Sequence, residues 1–258
     1  MKRLLILLLL LLAGPLAKAQ DPAMAKLDSL VDNYVTFIMP ESIEAKQAEC
    51  DFLIGSVSDT LMRSRIACRL FERFKESRVM GDEAVSIYVW DKWLADRTLP
   101  MKDEDSWFDA KMFAEFNRSS LLGMQAPELK LRRPCGCRFV LPRRGRAAII
   151  YFYNIDCGKC KLENQVLPTV MQAWGRDTDF YAVYVGDDKA AWKEFRKNFD
   201  LGNPHLKVKH LWDPKVASDY IRKYGVLSTP KIFVTKSDGR IAGRRLEVEN
   251  LPQMLPLL

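Results

Sequence analysis

Apolar residues recur every three or four positions between residues 22 and 119, as in Leu27, Leu30, Val31 and Tyr34 and again in Cys68, Phe71 and Phe74. That period predicts amphipathic helices, and no strand-like alternation interrupts it. Gly55 to Asp59 joins a helix stop to serine and aspartate helix starters, so an antiparallel helical hairpin is expected around it. Further helices are expected over residues 82–95 and 105–117. The aromatic residues there, Tyr88, Trp90, Trp93, Trp107, Phe108, Phe113 and Phe116, stand at helical spacing and read as core in preference to a ligand groove.

The texture changes at Leu122, where Gly123-Met124-Gln125-Ala126-Pro127 leads into short extended segments flanking the arginine-rich stretch from Arg132 to Arg146. The pattern then predicts strands over residues 147–153, 180–185 and 208–212, alternating with helices over 161–174 and 189–198. A helix over 215–224, a strand over 231–235, an Asp238-Gly239 turn, a strand over 240–246 and a short helix after Glu249 complete the chain. Alternating strands and helices imply parallel crossovers, and the closing hairpin is antiparallel, so the sheet is expected to be mixed. The expected architecture is an all-α domain over residues 20–120 followed by an α/β domain over 121–258.

Ahead of both, Lys2 and Arg3 precede an apolar stretch from Leu4 to Ala17, and Ala17-Lys18-Ala19 supplies a small-x-small cleavage site. The stretch is short for a bilayer span of ~20 residues, so residues 1–19 read as a signal peptide cleaved near Ala19. The residue after the cut is Gln20 and not cysteine, so no lipid attachment is expected, and nothing in the mature chain is expected to span a membrane. The formal charge of +7 falls by three, to +4, when Lys2, Arg3 and Lys18 leave, a mild basicity that excludes a nucleic-acid signature.

Export gives meaning to Cys157-Gly158-Lys159-Cys160, which stands between an expected strand and an expected helix. A Cys-x-x-Cys at such a junction reads as a redox pair, because the helix start aims unpaired N–H groups and the positive end of its dipole at the first sulfur. Lys159 is expected to favour the Cys157 thiolate, and Asp156 to oppose it. Glu163 shares a helical face with Cys160.

Taken together, Gly123-x-x-Ala126-Pro127, Cys157-x-x-Cys160, Glu163, Thr229-Pro230, the Asp238-Gly239 turn and the extra helix and strand between Phe180 and Trp212 make residues 122–258 resemble the exported TlpA-like thiol-disulfide oxidoreductases. The resemblance implies a thioredoxin-like fold with Cys157 as nucleophile and Cys160 as resolving thiol. It also implies that Glu163 accepts the Cys160 proton and that Thr229 and a cis Pro230 hold the incoming peptide. No cofactor is needed, since the cysteines carry the electrons. The implied partners are exported proteins with thiols or disulfides and a redox partner that recharges the pair, with reduction as the working direction. The implied location is the periplasm of a Gram-negative bacterium.

Four further cysteines permit other readings. Cys50 and Cys68 lie equally far from Asp59 and suit either a bridge across the helical hairpin, contributing about 3 kcal/mol, or two free buried thiols. Cys135-Gly136-Cys137, set among Arg132, Arg133, Arg138, Arg143, Arg144 and Arg146, suits either a secondary redox pair or a structural role. Cys135, Cys137, Cys157 and Cys160 would supply four thiolates for zinc, and His205 and His210 could join the cysteine pair on copper, although both histidines read as surface residues. A non-catalytic binding module is the remaining alternative.

Overall fold

A computed structural model describes residues 22–258, and the signal-peptide expectation over residues 1–19 lies outside them. The chain divides into two compact units, Met1–Ala114 and Glu115–Leu258, a division that falls inside its last N-terminal helix.

In the first unit the helical period becomes α1 (Pro22–Ile38), α2 (Ile43–Gly55), α3 (Thr60–Lys75), α4 (Glu83–Val89) and α5 (Glu104–Asn117), whose last residues belong to the second unit. The starts follow from caps: Ser42 accepts from the Ala45 amide at 3.2 Å and Asp59 from the Met62 amide at 2.8 Å, each satisfying a donor the helix leaves unpaired. Beyond α4 the helix widens over Trp90–Leu94, where the Ala95 amide donates five residues back to the Trp90 carbonyl at 2.9 Å. The aromatic expectation holds for Trp90 and fails for Phe108, which is 55% exposed. Beneath the helices Lys46 of α2 and Asp82 meet at 2.6 Å with both side chains almost wholly buried, and Ser77 donates to the other Asp82 oxygen at 2.6 Å. Cys50 is buried on α2 and Cys68 half-buried on α3, and both are free thiols, so the hairpin carries no disulfide.

Among the described residues of the second unit, seven strands form one mixed sheet in the order β2-β1-β5-β4-β3-β6-β7. They are β1 (Leu129–Arg132), β2 (Arg138–Leu141), β3 (Ala147–Tyr153), β4 (Thr178–Tyr184), β5 (Leu206–Trp212), β6 (Lys231–Thr235) and β7 (Ile241–Leu246). Helices α6 (Gly158–Met171), α7 (Lys189–Asn198) and α8 (Tyr220–Tyr224) and a 3-10 helix at Val248–Leu257 complete it. β3, β4 and β5 run parallel, and β6 pairs antiparallel with β3, placing the continuous apolar run of β3 in the interior of the sheet. Alternation sends Ala148, Ile150 and Phe152 to one face, against Tyr220, Tyr224 and Phe233. It sends Tyr151 and Tyr153 to the other face, where Tyr153 meets Phe195 of α7 at 4.8 Å.

Two expected boundaries move for identifiable reasons. The helix expected from Lys161 begins at Gly158, because the Cys157 sulfur caps it. The helix expected from Lys215 is confined to α8, because the Asp213 carboxylate accepts the Ala217 and Ser218 amides at 2.9 and 2.8 Å and holds a non-helical turn. Val216 and Asp219 in that turn take positive φ angles of 53° and 59°.

Candidate active site

The C-terminal end of β3 delivers Asn154 to Cys157 onto the start of α6. Cys157 occupies the N-cap, and its Sγ accepts the Cys160 amide at 3.1 Å, the role a serine hydroxyl ordinarily takes. Across the site the Thr229–Pro230 peptide is cis, and the Thr229 carbonyl oxygen accepts from Cys157 Sγ at 3.2 Å. β6 follows immediately and pairs with β3 from Lys231↔Phe152, so two neighbouring strands hold the cysteine and the proline turn together.

The two thiols differ sharply. Partial burial pushes Cys157 up, but hydrogen bonds from the Cys160 thiol and amide, joined by those at Thr229 and the Lys159 amide, outweigh it and hold Cys157 below the ordinary thiol range. Cys160 is buried, and that burial, reinforced by the Cys157 sulfur, pushes it up to about 12. One sulfur is half-exposed and held below the ordinary thiol range while the other is buried and held above it, the asymmetry that separates an attacking from a resolving cysteine.

Glu163, expected to work beside Cys160, is buried with a side chain only 7% exposed. Burial raises it to about 7 against the opposing Lys159 charge, and Glu247 and Glu249 raise it further. Among the described residues its Oε2 has no hydrogen-bond partner. Lys159 does not serve Cys157 as expected. Its ammonium binds Glu247, the residue that opens the C-terminal 3-10 helix, at 2.6 Å and stands 3.8 Å from Glu163 Oε1. Glu247 is in turn fixed by a reciprocal cap with Asn250. Asp156 is exposed, and its amide donates to Asn154 Oδ1 at 3.1 Å.

Two members of the site were not anticipated. Tyr151 of β3, wholly buried, donates to Asn164 of α6 at 3.0 Å, and its phenol is held far above its ordinary range by burial and by the nearby Cys160 and Glu163. Lys231 of β6 is half-buried, and burial together with the Arg245 and Lys159 charges lowers it. Strand alternation placed Tyr151 on the α6 face and was the available signal; Lys231 was signalled only by its position after Pro230.

Within the second unit, Cys135 and Cys137 are not brought to this site. Cys135 and Cys137 are exposed on the β1–β2 hairpin, and β5 and β4 separate β1 from β3. Three strand spacings of ~4.8 Å exceed the reach of four sulfurs on one zinc ion. Among the described residues no three His, Cys, Asp or Glu side chains cluster in a way that could hold a metal. His205 is exposed and bonds Asp177 at 2.9 Å, whereas His210, expected at the surface, packs on Phe199 and is lowered to about 4 by burial.

The family model of the thioredoxin-like domain matches residues 140–248. No curated protein matches the chain. Among solved structures, a thioredoxin-like protein from Bacteroides caccae ATCC 43185 is similar at 13% identity and a TM-score of 0.67, covering 93% of this chain and 85% of that one. A domain of a possible thiol-disulfide isomerase from Cytophaga hutchinsonii ATCC 33406 is 25% identical, with a TM-score of 0.46, over 55% of this chain and 95% of that chain. The thioredoxin domain of a thiol-disulfide oxidoreductase from Bacteroides vulgatus is 18% identical, with a TM-score of 0.44, over 52% and 97% respectively. The parallel β3–β4–β5 core, the cysteine-capped helix, the cis proline and the matched family model agree: the C-terminal unit of this chain is a thioredoxin-like domain.

Proposed function

We propose that the chain is an exported thiol-disulfide oxidoreductase that reduces disulfides of other exported proteins through Cys157 and Cys160. The observation that carries this reading is the pairing of a capped, half-exposed Cys157 with a buried Cys160 beside a cis Thr229–Pro230 peptide. The Cys157 thiolate attacks a client disulfide, one client sulfur leaves and takes a proton, and a mixed disulfide forms. Cys160 then gives up its proton and attacks Cys157 Sγ. The second client sulfur leaves reduced, and the pair is left as a disulfide for a redox partner to recharge. Similarity to exported oxidoreductases and the features of residues 1–19 support a periplasmic location. Among the described residues no helix is long and apolar enough to cross a membrane.

The test is trapping by Cys160→Ala. An oxidoreductase accumulates Cys157-linked mixed disulfides with exported proteins; if none form under conditions that trap a known thioredoxin-fold reductase, the fold serves here as a binding module.

In this scheme Glu163 accepts the Cys160 proton as the second step begins, and it does so only when ionised. The resolving rate therefore rises with pH through about 7, the value burial gives this carboxyl. Glu163→Gln removes that rise and slows resolution by ~10² or more, the usual worth of a positioned base. Stability responds in the opposite sense. Because the folded carboxyl holds its proton up to about 7 where an ordinary glutamate loses it near 4.5, the native state binds the extra proton between those values and loses stability as pH rises across them. Glu163→Gln is expected to gain up to about 3 kcal/mol at pH 8 and nothing at pH 4. Urea melts at both pH values, run beside single-turnover kinetics, check this. A variant that resolves at the normal rate removes Glu163 from the mechanism.

A further inference from the structure

The β1–β2 hairpin turns through Arg133-Pro134-Cys135-Gly136-Cys137, and its backbone is closed twice. The Gly136 amide donates to the Arg133 carbonyl at 2.8 Å and the Arg133 amide to the Cys137 carbonyl at 2.9 Å. Pro134 suits the second position of such a turn, and Gly136 takes a φ of +82° that a side chain would resist. This frame leaves both cysteines exposed and turns them toward each other: the Cys137 amide donates to Cys135 Sγ at 3.4 Å and the two thiols share a hydrogen bond. Arg132, Arg133 and Arg138 are exposed around them.

We propose that Cys135 and Cys137 form a second dithiol–disulfide site, separate from Cys157 and Cys160, that exchanges with small or flexible anionic disulfides of the glutathione class. Cys135 is the attacking sulfur, because the Cys137 thiol and amide, with the Arg133 charge, hold it below the ordinary thiol range, whereas the Cys135 sulfur raises Cys137. The Cys135 thiolate attacks one sulfur of the external disulfide, and the other leaves as a thiolate and takes up a proton. Cys137 loses its proton and attacks Cys135 Sγ, expelling the second external thiolate and closing a Cys135–Cys137 disulfide. Two electrons pass from the hairpin to the external disulfide, and the reverse sequence reopens the loop. A disulfide across a single glycine is strained relative to one across two residues, which places this pair on the oxidising side of Cys157 and Cys160. Since β5 and β4 stand between β1 and β3, the two pairs of one molecule do not exchange directly. The surrounding arginines favour a negatively charged disulfide, and salt weakens that preference.

The site is tested in the full chain carrying Cys157→Ser and Cys160→Ser, so that its outcome is independent of the active-site reading. The protein is equilibrated across ratios of reduced to oxidised glutathione, the free thiols are alkylated, and mass spectrometry identifies the bonds. The expected result is a reversible Cys135–Cys137 disulfide whose midpoint is more oxidising than that of Cys157 and Cys160, the latter measured in a Cys135→Ser, Cys137→Ser chain. Separately, the thiol left in Cys137→Ser, which keeps the residue 137 amide and the Arg133 charge beside it, alkylates faster at neutral pH than the thiol left in Cys135→Ser. Oxidised glutathione outpaces neutral hydroxyethyl disulfide at low salt. Glutathione adducts on each cysteine with no closed loop, or equal reactivity of the two single variants, overturn the proposal.

Discussion

If the chain works as proposed, Cys157→Ser is expected to abolish reduction of protein disulfides and to leave the fold intact. The loss follows from chemistry: a hydroxyl does not ionise in water near neutrality, so no nucleophile remains beside the Thr229–Pro230 turn to form the mixed disulfide, and the buried Cys160 thiol, held up to about 12, cannot replace it. The intact fold follows from geometry. Cys157 caps α6 by accepting the Cys160 amide, and serine is among the best residues for that task, so the helix start keeps its partner. The stability change is expected to stay within about 1 kcal/mol. Turnover of a disulfide-bonded protein substrate and a urea melt of the same preparation measure both halves. Residual turnover above the uncatalysed rate would place the attacking sulfur elsewhere, and a collapse in stability would show that the sulfur does more than cap.

Asp82→Ala is expected to cost the helical unit about 3–5 kcal/mol, because it strands the Lys46 ammonium in a site where both side chains are almost wholly buried. A surface pair such as Arg97–Glu104, with both side chains at least half exposed, contributes little and serves as the control. Replacing both partners, Lys46→Met with Asp82→Ala, recovers most of the loss, since the cost lies in the unpaired charge and not in a missing attraction. The readout is hydrogen exchange resolved by peptide: protection falls across α2, α3 and α4 in Asp82→Ala while β3 and β4 keep theirs. Unchanged protection in α2 would show that water or another group reaches Lys46.

These two sites show what a chain discloses to a reader and what it withholds. Cys157 and Cys160 stand out because they sit in a short local pattern, a strand end running into a helix start, whereas the role of Glu163 and the choice of Thr229 and Pro230 came with the family resemblance. The alternation of strand and helix after Leu122 likewise exposes the mixed sheet and its closing antiparallel hairpin. What stays hidden is pairing over long separations. Glu247 claims Lys159 from 88 positions away, and that bond takes the lysine off the thiolate it was expected to serve. Lys46 and Asp82 are 36 positions apart and show nothing in sequence beyond two common charged residues. The misplaced start of α6 has a different cause, since cysteine is seldom a cap and the sulfur's role appears only once the turn is formed.

The order of strands leaves β2 and β7 at the rims of the sheet, where unpaired backbone groups invite another chain to add itself. On β2 the arginines that flank the hairpin answer that hazard: Arg133 and Arg143 lie over the Phe139 ring at 4.7 and 4.6 Å, and Arg138 stands exposed on the strand. A copy approaching that rim meets a row of cations matching its own and is turned away. β7 is covered at its start, where the Gly123 amide donates to the Ile241 carbonyl at 2.9 Å and the Ile241 amide to the Met124 carbonyl at 2.8 Å, and farther along its pairing with β6 slips register twice and Arg245 takes a φ of +53°, a bend that suits no straight neighbour. The hairpin arginines therefore set like charge against like wherever two copies meet rim to rim, whatever disulfide the loop meets.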